Sequence, residues 1–91
     1  MGYYNGTAGQ ILGNFSANQE ITDLIKEKDK LTEFYGLKKI GILANPGDIV
    51  IIDDQEIMIS RSGVYELDQV KYVKSLKFKN DVENIIIDYV Y

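Results

Sequence analysis

From Leu37 to Tyr91 the chain alternates between short apolar runs and turn signals, the pattern of strands rather than helices. Ile40 and Ile42 alternate with Lys39 and Gly41, and Asn45-Pro46-Gly47-Asp48 then places Pro and Gly where a type II turn needs them. Ile49-Val50-Ile51-Ile52 is apolar on both faces, which suits a strand covered on two sides. Asp53-Asp54 turns it into Glu56-Ile57-Met58-Ile59, and Ser62-Gly63 turns that run into Val64-Tyr65-Glu66-Leu67. A further run, Tyr72 to Phe78, is expected to set Tyr72, Leu76 and Phe78 on one face and Lys71, Lys77 and Lys79 on the other. Asn80-Asp81 leads into the last run, where Ile85, Ile87, Tyr89 and Tyr91 share one face and Ile86, Asp88 and Val90 the other. Asp88 limits the burial of that second face, so it is the one expected to meet solvent or a partner. This last run is expected to be ordered, paired and close to an interface.

Before Leu37 the period changes to that of a helix. Ser16-Ala17-Asn18-Gln19 has the form of a capping box. Ile21, Leu24, Ile25, Leu31, Phe34 and Tyr35 follow near one helical face, with Asp23, Glu27, Lys30 and Glu33 away from it. Gly36 supplies a left-handed residue to close the element, so the spacing predicts a helix over residues 17–35. Residues 1–15 read as a flexible, uncharged N-terminal arm, 16–36 as the amphipathic helix and 37–91 as a β-sandwich domain, the last two forming one globular unit. The fold class is α+β, mainly β: one N-terminal helix followed by a five- to six-stranded antiparallel β-sandwich or small barrel.

The arm holds glycines and asparagines, but also Tyr3, Tyr4, Ile11, Leu12 and Phe15, apolar residues that pure linkers seldom carry. It is either a segment that contacts a neighbour or a frayed terminus whose tyrosines pack on the chain's own sheet. No charged side chain occurs before Glu20. Without a basic start or a long apolar stretch, this region matches neither a secretory signal nor a membrane span.

Composition narrows the chemistry. Ninety-one residues, 45% of them hydrophobic and 26% charged, fit one ordinary globular domain. A net charge of −4 argues against nucleic acid as a direct partner. Cysteine and histidine are both absent, which removes thiolate ligands, disulfides and the usual general base. Asp53, Asp54 and Glu56 present three carboxylates in a short stretch, but without the glycine and regular oxygen spacing of a calcium loop they read as hairpin-turn residues. Ser60, Ser62 and Ser75 lack a glycine elbow or a partner base. No catalytic residue, cofactor or metal is expected, and the chain reads as non-enzymatic.

The order Leu37-Lys38-Lys39-Ile40-Gly41-Ile42, Asn45-Pro46-Gly47-Asp48, Glu56-Ile57-Met58-Ile59, Ser62-Gly63-Val64-Tyr65-Glu66-Leu67, Ser75-Leu76-Lys77-Phe78 and Ile86-Ile87-Asp88-Tyr89-Val90-Tyr91 resembles small virion proteins of phages and prophages of low-GC Gram-positive bacteria. The likeness covers about residues 35 to 91 and lies in turn and strand patterning. It implies a structural component present in many copies, in a capsid, neck, tail or baseplate, localised to the virion after assembly in the bacterial cytoplasm. Its partners would be other copies of itself and other virion structural proteins, with no membrane. The candidate interface residues are Tyr3, Tyr4, Ile11, Leu12, Phe15, Ile86, Val90 and Tyr91. Alternative readings are a carbohydrate- or cell-surface-binding module using its seven tyrosines, and a small acidic inhibitor using residues 40–70, where six acids face only Arg61.

Overall fold

A computed structural model describes residues 8–91, apart from the side chains of residues 69–71. Seven strands and one helix follow in the order β1 (Ala8–Phe15), α1 (Ile21–Lys28), β2 (Leu37–Leu43), β3 (Ile49–Ile52), β4 (Gln55–Met58), β5 (Val64–Val73), β6 (Leu76–Phe78) and β7 (Val82–Val90). The strands form two antiparallel sheets with open edges, one ordered β1-β7-β2-β5 and the other β4-β3-β6, rather than a closed barrel. Both sheets contribute to one buried cluster, in which Ile40, Ile42, Ile85 and Ile87 of the first meet Val50, Ile52, Leu76 and Phe78 of the second, with Ile21 and Ile25 of the helix.

Three turns form where the sequence marks them. Asp48 donates its N–H to the Asn45 carbonyl at 3.0 Å around Pro46-Gly47, with Gly47 at φ +93°. Asp53 and Asp54 both have positive φ, 46° and 70°, the conformation of a two-residue hairpin turn whose twist matches the flanking strands. Gly63, at φ +73°, donates to the Ser60 carbonyl at 3.0 Å and closes the turn into β5.

The helix is shorter than its periodicity suggests. It ends where Lys30 takes a left-handed φ of 54° and donates to the Glu27 carbonyl, while Leu31 donates to that of Lys26. These two bonds are a Schellman motif, which satisfies the terminal carbonyls and turns the chain. Gly36 therefore does not close the helix; at φ +131° it lies against Tyr72 and Val73 at the entry to β2. The start also differs. Gln19 Oε1 accepts from the Ser16 N–H at 3.2 Å, the reach-back half of a capping box, but Asn18 is left-handed and donates to the Phe78 carbonyl at 2.8 Å. The motif closes a turn tied to β6, and the helix begins after Glu20.

The N-terminal arm is the larger correction. Residues 1–7 lie outside the described residues, but Ala8–Phe15 is a strand paired with β7, from Ala8 opposite Val90 to Phe15 opposite Val82. The pairing holds because Phe15 is buried and stacks on Phe78, ring centroids 6.3 Å apart. A bulge after Gly13, where the Asn14 side chain accepts from the left-handed Asn84, bends the end of the strand toward the core. The C-terminal strand β7 consequently lies inside its sheet, between β1 and β2.

The run from Tyr72 to Phe78 is broken at Lys74-Ser75, where the chain passes from one sheet to the other. Leu76 and Phe78 are buried as expected, but Tyr72 is exposed, because the corner resets the alternation. Two carboxylates hold this corner. Asp53 Oδ1 accepts from the Lys74 and Ser75 N–H groups, both at 3.0 Å. Glu20 accepts from the next N–H, that of Leu76, at 2.7 Å, and from the Ser75 hydroxyl at 2.6 Å.

Candidate interaction surface

Strand pairing arranges the outer face of the four-stranded sheet in rows, because directly opposed residues project to the same side. Leu12 of β1 lies opposite Ile86 of β7, Ile86 opposite Leu43 of β2, and Leu43 opposite Val64 of β5. The result is an aliphatic row across the whole sheet. Leu12 is 60% exposed, Leu43 46% and Val64 43%, with Ile86 half-buried among them. Single exposed aliphatics are ordinary on a protein surface; here four aliphatics lie side by side.

The neighbouring row is polar. It runs Gln10, Asp88, Gly41, Glu66, with Gln10 Nε2 donating to Asp88 Oδ1 at 2.6 Å. The third row runs Ala8, Val90, Lys39, Asp68, where Lys39 lies 3.6 Å from Asp68. Gly41 has no side chain to fill its place in the sheet, so a depression of about 490 Å³ opens there, flanked by Glu66, Asp68, Asp88 and Lys39. The face is thus an aliphatic strip beside a hollow rimmed by three carboxylates and one lysine.

Of the residues the sequence marks as candidates for contact, Leu12 and Ile86 adjoin on this face, and Val90 shares it two rows away. Ile11, opposite Ile87, is half-buried against the core. Phe15 is in the core itself. Tyr91 is half-buried, 5.9 Å from the Tyr89 ring and 6.5 Å from that of Phe34. Tyr3 and Tyr4 lie outside the described residues. Leu43 and Val64 complete the row but carry no mark in the sequence alone, since only the register of β2 with β5 and β7 aligns them with Ile86.

Of the three carboxylates Asp53, Asp54 and Glu56, the first and third have structural partners, and Asp54 is an exposed turn residue. Asp53 ties the corner at Lys74-Ser75, and Glu56 pairs with Lys79 at 3.1 Å. Among the described residues no group of three metal-ligating side chains gathers, and no helix is long and apolar enough to cross a membrane. A second cavity, about 480 Å³, lies beside the helix and is lined by Glu20, Lys26, Phe34, Tyr35 and Lys74 among others. Two of its charged groups are engaged within the fold: Lys26 lies 3.2 Å from Asp23 and over the Phe34 ring, and Glu20 serves the corner.

Three groups have altered acidity, Glu20, Tyr89 and Tyr91, the last raised by burial and by the nearby Asp29 carboxylate. Burial raises the Glu20 carboxyl, but the hydrogen bonds from Ser75, Leu76 and Thr22 outweigh it and hold the group below its ordinary value. The Tyr89 hydroxyl is pushed well above its ordinary value, first by burial and then by the Asp29 carboxylate, to which it donates at 2.8 Å. No protein-family model, curated protein or solved structure matches the chain.

Proposed function

We propose that this protein is a non-enzymatic structural subunit of a bacteriophage or phage-tail-like particle, acting through contacts with copies of itself and with other virion proteins. The observation that carries the reading is the aliphatic row Leu12, Ile86, Leu43 and Val64 on the outer face of the β1-β7-β2-β5 sheet. Such a row exposes apolar surface to water that a permanent partner would cover. In this reading the two sheets face each other as a β-sandwich, and the assembled protein resides in the virion after assembly in the cytoplasm. The resemblance of residues 35 to 91 to small virion proteins supports the same role. Residues 1–7, with Tyr3 and Tyr4, add a second contact.

Particles banded from the source bacterium after prophage induction are expected to contain this chain in many copies, measured by peptide mass spectrometry. Its absence from particles, when it is present in the cell lysate, would sink the assignment. Deletion of residues 1–7, rather than 1–15, tests the arm, because 8–15 form β1.

A second reading, a carbohydrate-binding module, is favoured by one feature. Tyr35 and Tyr72 are both exposed, with ring centroids 6.1 Å apart and Lys38 over the Tyr72 ring. A glycan array probed with the isolated protein decides it: specific binding abolished by Tyr72→Ala supports the module, and silence removes it.

A further inference from the structure

We infer that β1 is a self-association edge: it pairs antiparallel with the β1 of a second copy about a two-fold axis, joining two four-stranded sheets into one of eight strands. The inference deepens the assembly reading and rests on it for its purpose, though its geometry stands on the strand edges alone.

The four sheet edges, β1, β5, β4 and β6, differ in how they are protected. An edge presents unpaired N–H and C=O groups, and proteins guard such groups with charge, proline or brevity. β4 and β6 are only 4 and 3 residues long, and carry Glu56 and Lys77. β5 is long but carries Glu66 and Asp68. β1 is 8 residues long and has no charged residue and no proline. Only its bulge after Gly13 interrupts it, which leaves residues 8–13 as a regular stretch.

The two-fold axis explains why the partner is a second copy. Antiparallel pairing of a strand with itself about a two-fold axis places two copies of every side chain in one ladder, so a charged edge would gather like charges there. β5 would gather four carboxylates in this way, whereas β1 would gather none. Leu12, exposed on β1, would then meet aliphatic or neutral residues of its copy, and the two aliphatic rows would lie side by side across the junction.

The chain has no cysteine, so single engineered cysteines report the pairing directly. Opposed residues in an antiparallel ladder have Cα atoms about 4.5–5.5 Å apart, within disulfide reach. Gln10 and Leu12 face outward, and pairing centred on residues 10–12 opposes Gln10 to Gln10, Gln10 to Leu12 or Leu12 to Leu12. Gln10→Cys, Leu12→Cys and their equimolar mixture sample all three, with Val64→Cys on the β5 edge as control. The expected result is a covalent dimer in one of the three samples, in about tenfold excess over the control. It is accompanied by a wild-type dimer in sedimentation at about 100 µM. Leu12→Lys, which adds a guard charge without touching the core, is expected to weaken that dimer by about tenfold while leaving the melting temperature unchanged in dilute protein, at about 1 µM where the monomer prevails. Cross-linking no greater than that of Val64→Cys, or a wild-type protein that sediments as a monomer, would overturn the pairing. A monomer that still enters particles overturns the pairing alone; a cross-linked dimer absent from particles overturns the assembly reading and leaves the pairing standing.

Discussion

Replacing Glu20 with Ala removes the acceptor for three donors at once. Its carboxylate takes the Leu76 N–H at 2.7 Å, the Ser75 hydroxyl at 2.6 Å and the Thr22 hydroxyl at 2.9 Å. The hydroxyls have other options: Ser75 is half-buried and can turn to water, and Thr22 lies 3.4 Å from the Lys74 carbonyl. The Leu76 N–H has none, because Leu76 is fully buried. A buried donor left without an acceptor costs about 1–3 kcal/mol, and a charged acceptor raises the loss toward the upper end. The expected loss is about 2–3 kcal/mol, which lowers the melting temperature of a domain this size by about 10–20 °C.

The acid limb supplies an independent check. The folded carboxyl titrates below its ordinary value, so its stabilisation is present above the unfolded pKa and is lost as the pH falls through the folded one. Urea denaturation followed by circular dichroism, from about pH 7 down to about pH 3, should therefore show the gap between wild type and Glu20→Ala narrowing on acidification. A loss under about 0.5 kcal/mol at neutral pH, or a gap that does not change with pH, would refute the assignment of Glu20 as the clamp of the sheet-to-sheet corner.

Three further outcomes test other parts of the structure. Tyr89→Phe removes the hydrogen bond to Asp29 and should cost about 1 kcal/mol; because burial raises the Tyr89 pKa, wild-type stability should also fall above about pH 10, and this alkaline loss should be smaller in the variant, both read by urea titration. Gly63→Ala should destabilise by about 2 kcal/mol or more, since its left-handed φ and a Cβ 2.7 Å from the Ala44 carbonyl oxygen both oppose it; Gly47→Ala, also left-handed but with open space, should cost only about 1 kcal/mol in the same thermal melt. Leu43→Asp, on the exposed row, should leave stability within about 0.5 kcal/mol but prevent incorporation into particles, measured by peptide mass spectrometry beside the wild type.

Whatever depends on neighbours in the chain can be read from the residues alone. The turns at Asn45–Asp48, Asp53-Asp54 and Ser60–Gly63 are legible because Pro, Gly and Asp favour the φ values those turns require. The faces of β7 are legible because alternation is a property of the strand alone: Ile85, Ile87 and Tyr89 are buried, while Asp88 is exposed between half-buried Ile86 and Val90. Which strands meet depends instead on contacts between residues far apart in the chain. A glycine-rich segment became β1 because Phe15 finds Phe78 and because β7 offers it a backbone ladder, neither of which a local pattern records. The helix stopped at Lys30 although its apolar period continued, since the Schellman bonds redirected the chain and Tyr89 reached Asp29 beside them. The candidate contact surface was half visible for the same reason. Ile86 and Val90 sit on a face that alternation reveals, whereas Leu12, Leu43 and Val64 join it only through register, and register is set by how the whole core is buried.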